Sequence, residues 1–194
     1  VPHPDPAEGD FEFDLNTFNP TIWEKGTFDT ETGVFVGGMY GFGGWEYNPP
    51  IDLSGYKYLV AELNQPEQNG LELRVFDTAS YWEQPYCAKF GGGVIVVSEL
   101  GGMMKNLQSG IVPLDTSEVY RVGFWCYGNS PIHIKHVFAT NNNPYENNAV
   151  QEVESAYEDG SVYNLQGIRV ADSLSELTLP GLYIVKGKKI ILSR

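Results

Sequence analysis

Apolar and polar residues alternate with a period of two in one segment after another, and helical periodicity is scarce. Across Tyr58–Leu63, Leu59, Ala61 and Leu63 share one face, while Tyr58, Val60 and Glu62 share the other. Leu71, Leu73 and Val75 alternate with Glu72, Arg74 and Phe76. Tyr120, Val122, Phe124 and Cys126 alternate with Arg121, Gly123, Trp125 and Tyr127, and Ile132 and Ile134 with His133 and Lys135. The run VIVVSEL at 94–100 is almost continuously apolar, which predicts a strand covered on both faces. Turn-forming stretches separate these runs: NPP at 48–50, NQPEQNG at 64–70, GGG at 91–93 and GNSP at 128–131. One short helix is expected around Ser98–Leu107, interrupted by Gly101 and Gly102. Residues 10–140 thus predict an antiparallel sandwich of two sheets, preceded by a linker-like start at 1–9.

The pattern breaks at 141–159, a stretch rich in Asn and Glu and poor in β-branched residues, which reads as a linker. Residues 160–194 carry three short strand-like pieces, SVYNLQ, GIRVA and GLYIVKGKKIILS, with a hairpin tip expected at Lys186–Gly187. A β unit this small buries little surface by itself.

Composition agrees with an all-β chain. Hydrophobic residues at 42% and aromatics at 13% suffice for a core, and 22 glycines with 12 prolines favour short strands and turns. The formal charge of −13 argues against nucleic acid and anionic membranes, whose phosphates require clustered Lys and Arg. The charge is uneven: residues 160–194 hold five basic side chains against Asp172 and Glu176, so this end is net positive. No apolar run reaches the roughly 20 residues that span a bilayer. The opening VPHPDPAEGD is not a signal peptide; it reads either as a linker left after removal of a targeting segment or as a frayed end. Cys87 and Cys126 lack zinc-site spacing and read as two buried free thiols, or as one disulfide in an oxidising compartment.

Two resemblances add to this reading. GGWEYNPPIDLSGYKYLVAEL, with Ile51, Asp52, Leu53, Ser54, Gly55 and Tyr56 at its centre, resembles carbohydrate-binding modules of the galactose-binding-like jelly-roll type. GIVPLDTSEVYRVGFWCYGNSPIHIKHVFAT is similar to the closing strands of that family. The resemblance implies a jelly-roll sandwich with a polysaccharide or glycan as partner. Such modules often hold a structural calcium ion, for which Asp10, Glu12 and Asp14 of GDFEFD are the candidate ligands. The tail, through Val162, Tyr163, Leu165, Gly167, Val170, Pro180, Gly181, Tyr183, Ile184 and Lys188–Lys189, is similar to C-terminal sorting domains of the type IX export system. That implies an extracytoplasmic protein, secreted or on the cell surface, with the export machinery as a further partner.

The stretch GGMYGFGGWEY (37–47) lacks the lysine and helix start of a phosphate loop, and prolines follow it. Sugar binding fits it better, because pyranose C–H faces stack on aromatic rings while hydroxyls need polar partners. Trp45 and Tyr47 are candidates there, although Trp45 also reads, and rather better, as a core residue beside close-packed glycines. Trp82, Gln84 and Tyr86 of ASYWEQPYCAKF form a second aromatic and polar cluster. Glu62, Arg74, Arg121 and Trp125 sit on the non-core parity of their strands and would form one polar, aromatic face if those strands share a sheet. No carboxylate pair, G-x-S-x-G or H-E-x-x-H motif marks catalysis, and His133 and His136, three apart on a strand, are expected on opposite faces. The leading expectation is a non-catalytic glycan-binding domain without a cofactor. A small glycoside hydrolase or lyase, and a protein-binding adhesion or assembly domain, are the alternatives.

Overall fold

The computed structural model describes residues 5–67, 70–78, 82–145, 161–165, 167–177, 179, 181–185 and 188–192. The chain divides into two compact units, Val1–Pro144 and Tyr145–Arg194. Most of the expected linker, residues 146–160, and the hairpin tip at 186–187 lie outside the described residues, as do residues 1–4 and 79–81.

The first unit is an antiparallel β-sandwich. One sheet holds β2 (Asn19–Trp23), β5 (Phe42–Ile51), β12 (Val119–Cys126), β7 (Leu71–Phe76) and β8 (Tyr86–Lys89), in that spatial order. The other runs β3 (Thr27–Asp29), β4 (Val34–Val36), β13 (Ile132–Thr140), β6 (Tyr58–Leu63) and β9 (Ile95–Glu99), with β1 (Phe11–Glu12) also paired to β13. A hairpin of β10 (Met104–Leu107) and β11 (Gly110–Pro113) completes this unit.

The alternation read from the sequence selects the inner faces. Leu59, Ala61 and Leu63 of β6 and Val137 and Ala139 of β13 pack with Leu71, Leu73 and Val75 of β7 and Val122 and Phe124 of β12. Each of these side chains larger than alanine, fully withdrawn from water, stabilises the fold by about 1.5–3 kcal/mol. Trp45 joins this core at 2% exposure, and its Nε1–H donates to the Asp14 carbonyl at 2.8 Å.

Several expectations change. NPP at 48–50 is no turn; it lies within β5, where the β5–β12 register shifts between Val119 and Arg121. The helix around Ser98–Leu107 is instead a single 3₁₀ turn at Leu100–Gly102 leading into β10, because the two glycines there oppose a longer helix. VIVVSEL forms β9 at the edge of its sheet, with Glu99 exposed, and is not covered on both sides. The parity of β13 is reset by a register shift between Ile134 and His136: Ile132 and Ile134, then Val137 and Ala139, face the core. The inserted residue puts His133 and His136 on the same outer face, not on opposite ones. Both cysteines are free thiols; Cys126 is in the core and Cys87 is exposed.

The second unit is a four-stranded antiparallel sheet ordered β15 (Arg169–Ala171), β14 (Val162–Tyr163), β16 (Gly181–Val185) and β17 (Lys188–Leu192). The β14–β15 turn closes at Gly167, whose φ of +77° and N–H···O bond to Asn164 at 3.0 Å suit a residue without a Cβ.

Among the described residues, no helix is long and apolar enough to cross a membrane.

Candidate functional site

The outer face of the five-stranded sheet carries most of the chemistry. Inter-strand registers set its side chains in rows. Trp23, Phe42, Trp125, Glu72 and Lys89 stand side by side across β2, β5, β12, β7 and β8. The next row is Asn19, Gly44, Gly123, Arg74 and Cys87, and the third is Glu46, Arg121 and Phe76. Rows lie about 7 Å apart and columns about 5 Å apart, spacings that let large side chains reach across the glycines.

Gly44 and Gly123 are register partners at the centre of this face. A Cβ on Gly44 would strike the Val122 carbonyl, and one on Gly123 the Gly43 carbonyl and the Phe42 ring. The close approach of the two strands therefore requires glycine at both positions, and it leaves a depression between the outer rows.

Trp82, from the loop between β7 and β8, covers this depression. Its ring lies 5.3 Å from Phe42, 5.4 Å from Phe76, 5.9 Å from Trp23 and 6.4 Å from Trp125. Phe42 and Phe76 are consequently buried on the outer side of the sheet, apart from the main core. Asp77 anchors the start of the loop: at 5% exposure, its carboxylate accepts from Lys105 Nζ at 2.6 and 2.7 Å and from the Asp115 N–H at 2.8 Å.

Two arginines complete the face. Arg121 stacks on Trp82 (4.2 Å), Tyr120 (4.7 Å) and Phe76 (5.1 Å), and two of its N–H groups donate to one Glu46 oxygen at 2.9 and 2.6 Å. Arg74 lies 4.3 Å over Trp125 and donates twice to one Glu72 oxygen, at 3.0 and 2.8 Å. Each guanidinium is thus held by a carboxylate within the plane of its fork and by an indole against its flat side. The Trp125 Nε1–H is buried with no acceptor among the described residues. Beyond Trp125, Tyr127 lies 6.3 Å away, and Tyr40 packs edge-on against Tyr127 at 6.1 Å. Trp23 (50% exposed), Met39, Tyr40 and Tyr127 present the open rim.

Of the residues expected from sequence, Arg74, Trp82, Arg121 and Trp125 come together here, with Gln84 half-buried in the loop that bears Trp82. Trp45 and Tyr47 do not. Trp45 is a core residue, and Tyr47 packs against the core beside Phe11 and Phe13, where burial and then the Asp14 charge push its phenol up to about 12. Tyr86 also turns inward, its hydroxyl 2.8 Å from Ser98 Oγ. Glu62 belongs to the other sheet; at 2% exposure its Oε2 lies 2.8 Å from His136 Nε2 and accepts from Lys135 at 3.2 Å. It therefore shares no face with Arg74.

Phe42, Glu46, Glu72, Phe76 and Trp23 belong to the face but were missed as site residues. Phe76 and Glu72 carried a signal, since both share the polar parity of Arg74. Cys87 is exposed on the edge strand, and its partly covered thiol is pushed up by that burial against the opposing charge of Arg74.

Asp10 and Asp14 are engaged in local turns: Asp10 accepts from the Ala7 N–H at 2.9 Å, and Asp14 from the Asn16 N–H at 2.8 Å. Among the described residues, no three His, Cys, Asp or Glu side chains, these two and Glu12 included, are grouped to hold a metal ion. A separate cleft of about 360 Å³ is lined by Tyr56, Lys57, Tyr58 and Glu99 at the edge of the other sheet.

Fold and site define a class: an all-β sandwich domain with an aromatic, arginine-bearing sheet face. Compared with known proteins, the chain matches no family model and is similar to no curated sequence.

Proposed function

We propose that the chain is a non-catalytic carbohydrate-binding domain of a secreted or cell-surface protein, with the outer face of the five-stranded sheet as its glycan site. The observation that carries this reading is the assembly of Trp23, Trp82 and Trp125 with Arg74 and Arg121 outside the main core. Flat aromatic surface takes up the apolar face of a pyranose, and fixed guanidinium and carboxylate groups meet its hydroxyls. The galactose-binding-like resemblance around the DLSGY stretch supports the same reading, as does the sorting-domain-like tail, which suits delivery through an export system.

Hydrolysis of the glycan is disfavoured. It needs a carboxyl group placed to protonate the glycosidic oxygen, and the two acids within the face, Glu46 and Glu72, are both committed to arginines, while Glu24 and Glu83 are exposed at its rim. A protein-binding role has one observation behind it, the exposure of Met104 and Ile111 on the β10–β11 hairpin.

The test is affinity electrophoresis of the full chain through gels containing plant or host polysaccharides. At least one polymer should retard the protein, and Trp82→Ala and Trp125→Ala should each abolish the retardation while far-UV circular dichroism stays unchanged. Unchanged retardation in both variants would remove the site.

A further inference from the structure

We infer that this face takes an uncharged glycan and rejects uronic-acid or sulfated polymers; the inference rests on the glycan-binding reading above. Recognition of a carboxylate or sulfate needs a guanidinium with its donor fork open. Here the side-on edge of each guanidinium is occupied, and its charge is already balanced by a carboxylate. Two N–H groups of Arg121 already converge on Glu46, and two of Arg74 on Glu72. A flat side of each guanidinium is taken as well, that of Arg121 by Trp82 and that of Arg74 by Trp125. An anionic ligand on the remaining outer N–H groups would sit beside the paired carboxylate, at a guanidinium whose charge is already balanced.

The remaining charges do not reverse this. Lys89 is exposed on the edge strand but stands in register with Glu72. Glu24, next to Trp23, and Glu83, next to Trp82, are exposed acids at the rim, and the whole chain carries −13. A polyanion approaching this face is therefore repelled over the distance that salt leaves unscreened. Hydroxyl groups meet no such barrier: they accept from the outer N–H groups of a paired arginine and donate to the second oxygen of its carboxylate.

The experiment measures the full-length chain against two probes of matched length, a neutral glucomannan and polygalacturonate, at 20 and 500 mM NaCl. The inference expects glucomannan binding that changes less than twofold between the two salts, and polygalacturonate binding at least tenfold weaker. Polygalacturonate bound as tightly as glucomannan, with affinity falling at high salt, would overturn the inference and leave the glycan site standing. Failure of either polymer, and of a wider panel of neutral and charged glycans, to bind would overturn both. Glu46→Gln, checked for an unchanged far-UV spectrum, removes the charge that balances Arg121 and should add salt-sensitive binding of polygalacturonate. A variant with no such gain would overturn the explanation by charge balance.

Discussion

Replacing Trp82 by alanine is the sharpest test of how the outer face is built. The indole meets four rings at centroid distances of 5.3–6.4 Å and the Arg121 guanidinium at 4.2 Å. An aromatic pair contributes about 0.5–1.5 kcal/mol beyond its buried area, and a partly exposed cation–π contact about 0.5–1 kcal/mol. A fully buried Trp→Ala change costs about 3–5 kcal/mol, and Trp82 is only half-buried. The loss should therefore be about 2–3 kcal/mol, because Phe42 and Phe76 would also be opened to water. In a domain of this size that lowers Tm by roughly 5–10 °C. Scanning calorimetry on the wild type, Trp82→Ala and Trp82→Phe measures it, with the phenylalanine variant expected between the other two. If Trp82→Ala melted within about 1 °C of wild type, the loop would not be packed on the sheet and the described face would be wrong.

Asp77 is 5% exposed and holds both Lys105 and the Asp115 N–H, so Asp77→Ala should destabilise the domain by about 3 kcal/mol in urea denaturation. A loss below about 0.5 kcal/mol would mean that the pair behaves as an ordinary surface contact. The Asp52 and Asp115 carboxyls are held below their ordinary 3.8, first by the hydroxyls of Ser54 and Ser117 and then by the backbone N–H groups of the same residues. Their contribution is present above the unfolded value and fades as pH falls through the folded one. Ser54→Ala and Ser117→Ala should hence shift acid unfolding to higher pH and raise the matching carboxyl titration seen by NMR; a downward shift would contradict the hydrogen bonds. Burial pushes the Cys126 thiol up to about 11, whereas Cys87 is exposed, so a disulfide reagent should label one thiol in the native protein and two in denaturant. Labelling of both at equal rates in buffer would show that the core around Cys126 opens readily.

Alternation gave away the strands but not everything along them. The pairing of Leu59, Ala61 and Leu63 with a core face was legible because a half-buried strand separates apolar from polar residues by parity. His136 was misread because one inserted residue in β13 shifts the parity of all that follows. Trp45 and Trp125 are both tryptophans on neighbouring strands of one sheet, yet one is core and the other lies on the outer face. Parity within each strand could not order them against each other. Glu62 looked equivalent to Arg74 on the same grounds, and the partners of β6 and β7 put them in different sheets. Trp82, Gln84 and Tyr86 share a parity in the sequence, yet Trp82 lies on the outer face and Tyr86 turns to the core, because Trp82 precedes the strand that orients Tyr86.

By itself the sequence determined that the chain is all-β, which residues of most strands alternate, and that GGMYGFGGWEY is no phosphate loop. These follow from local patterns: side-chain period, glycine and proline placement, and the absence of a lysine. Only the tertiary structure decided which strands are neighbours, and so that Gly44 lies beside Gly123, Arg121 beside Glu46, and Trp82 over both strands. Strand order and register are long-range choices, made by pairing segments as distant as Phe11 and Ala139, and no local period encodes them. The aromatic face exists only because of those choices.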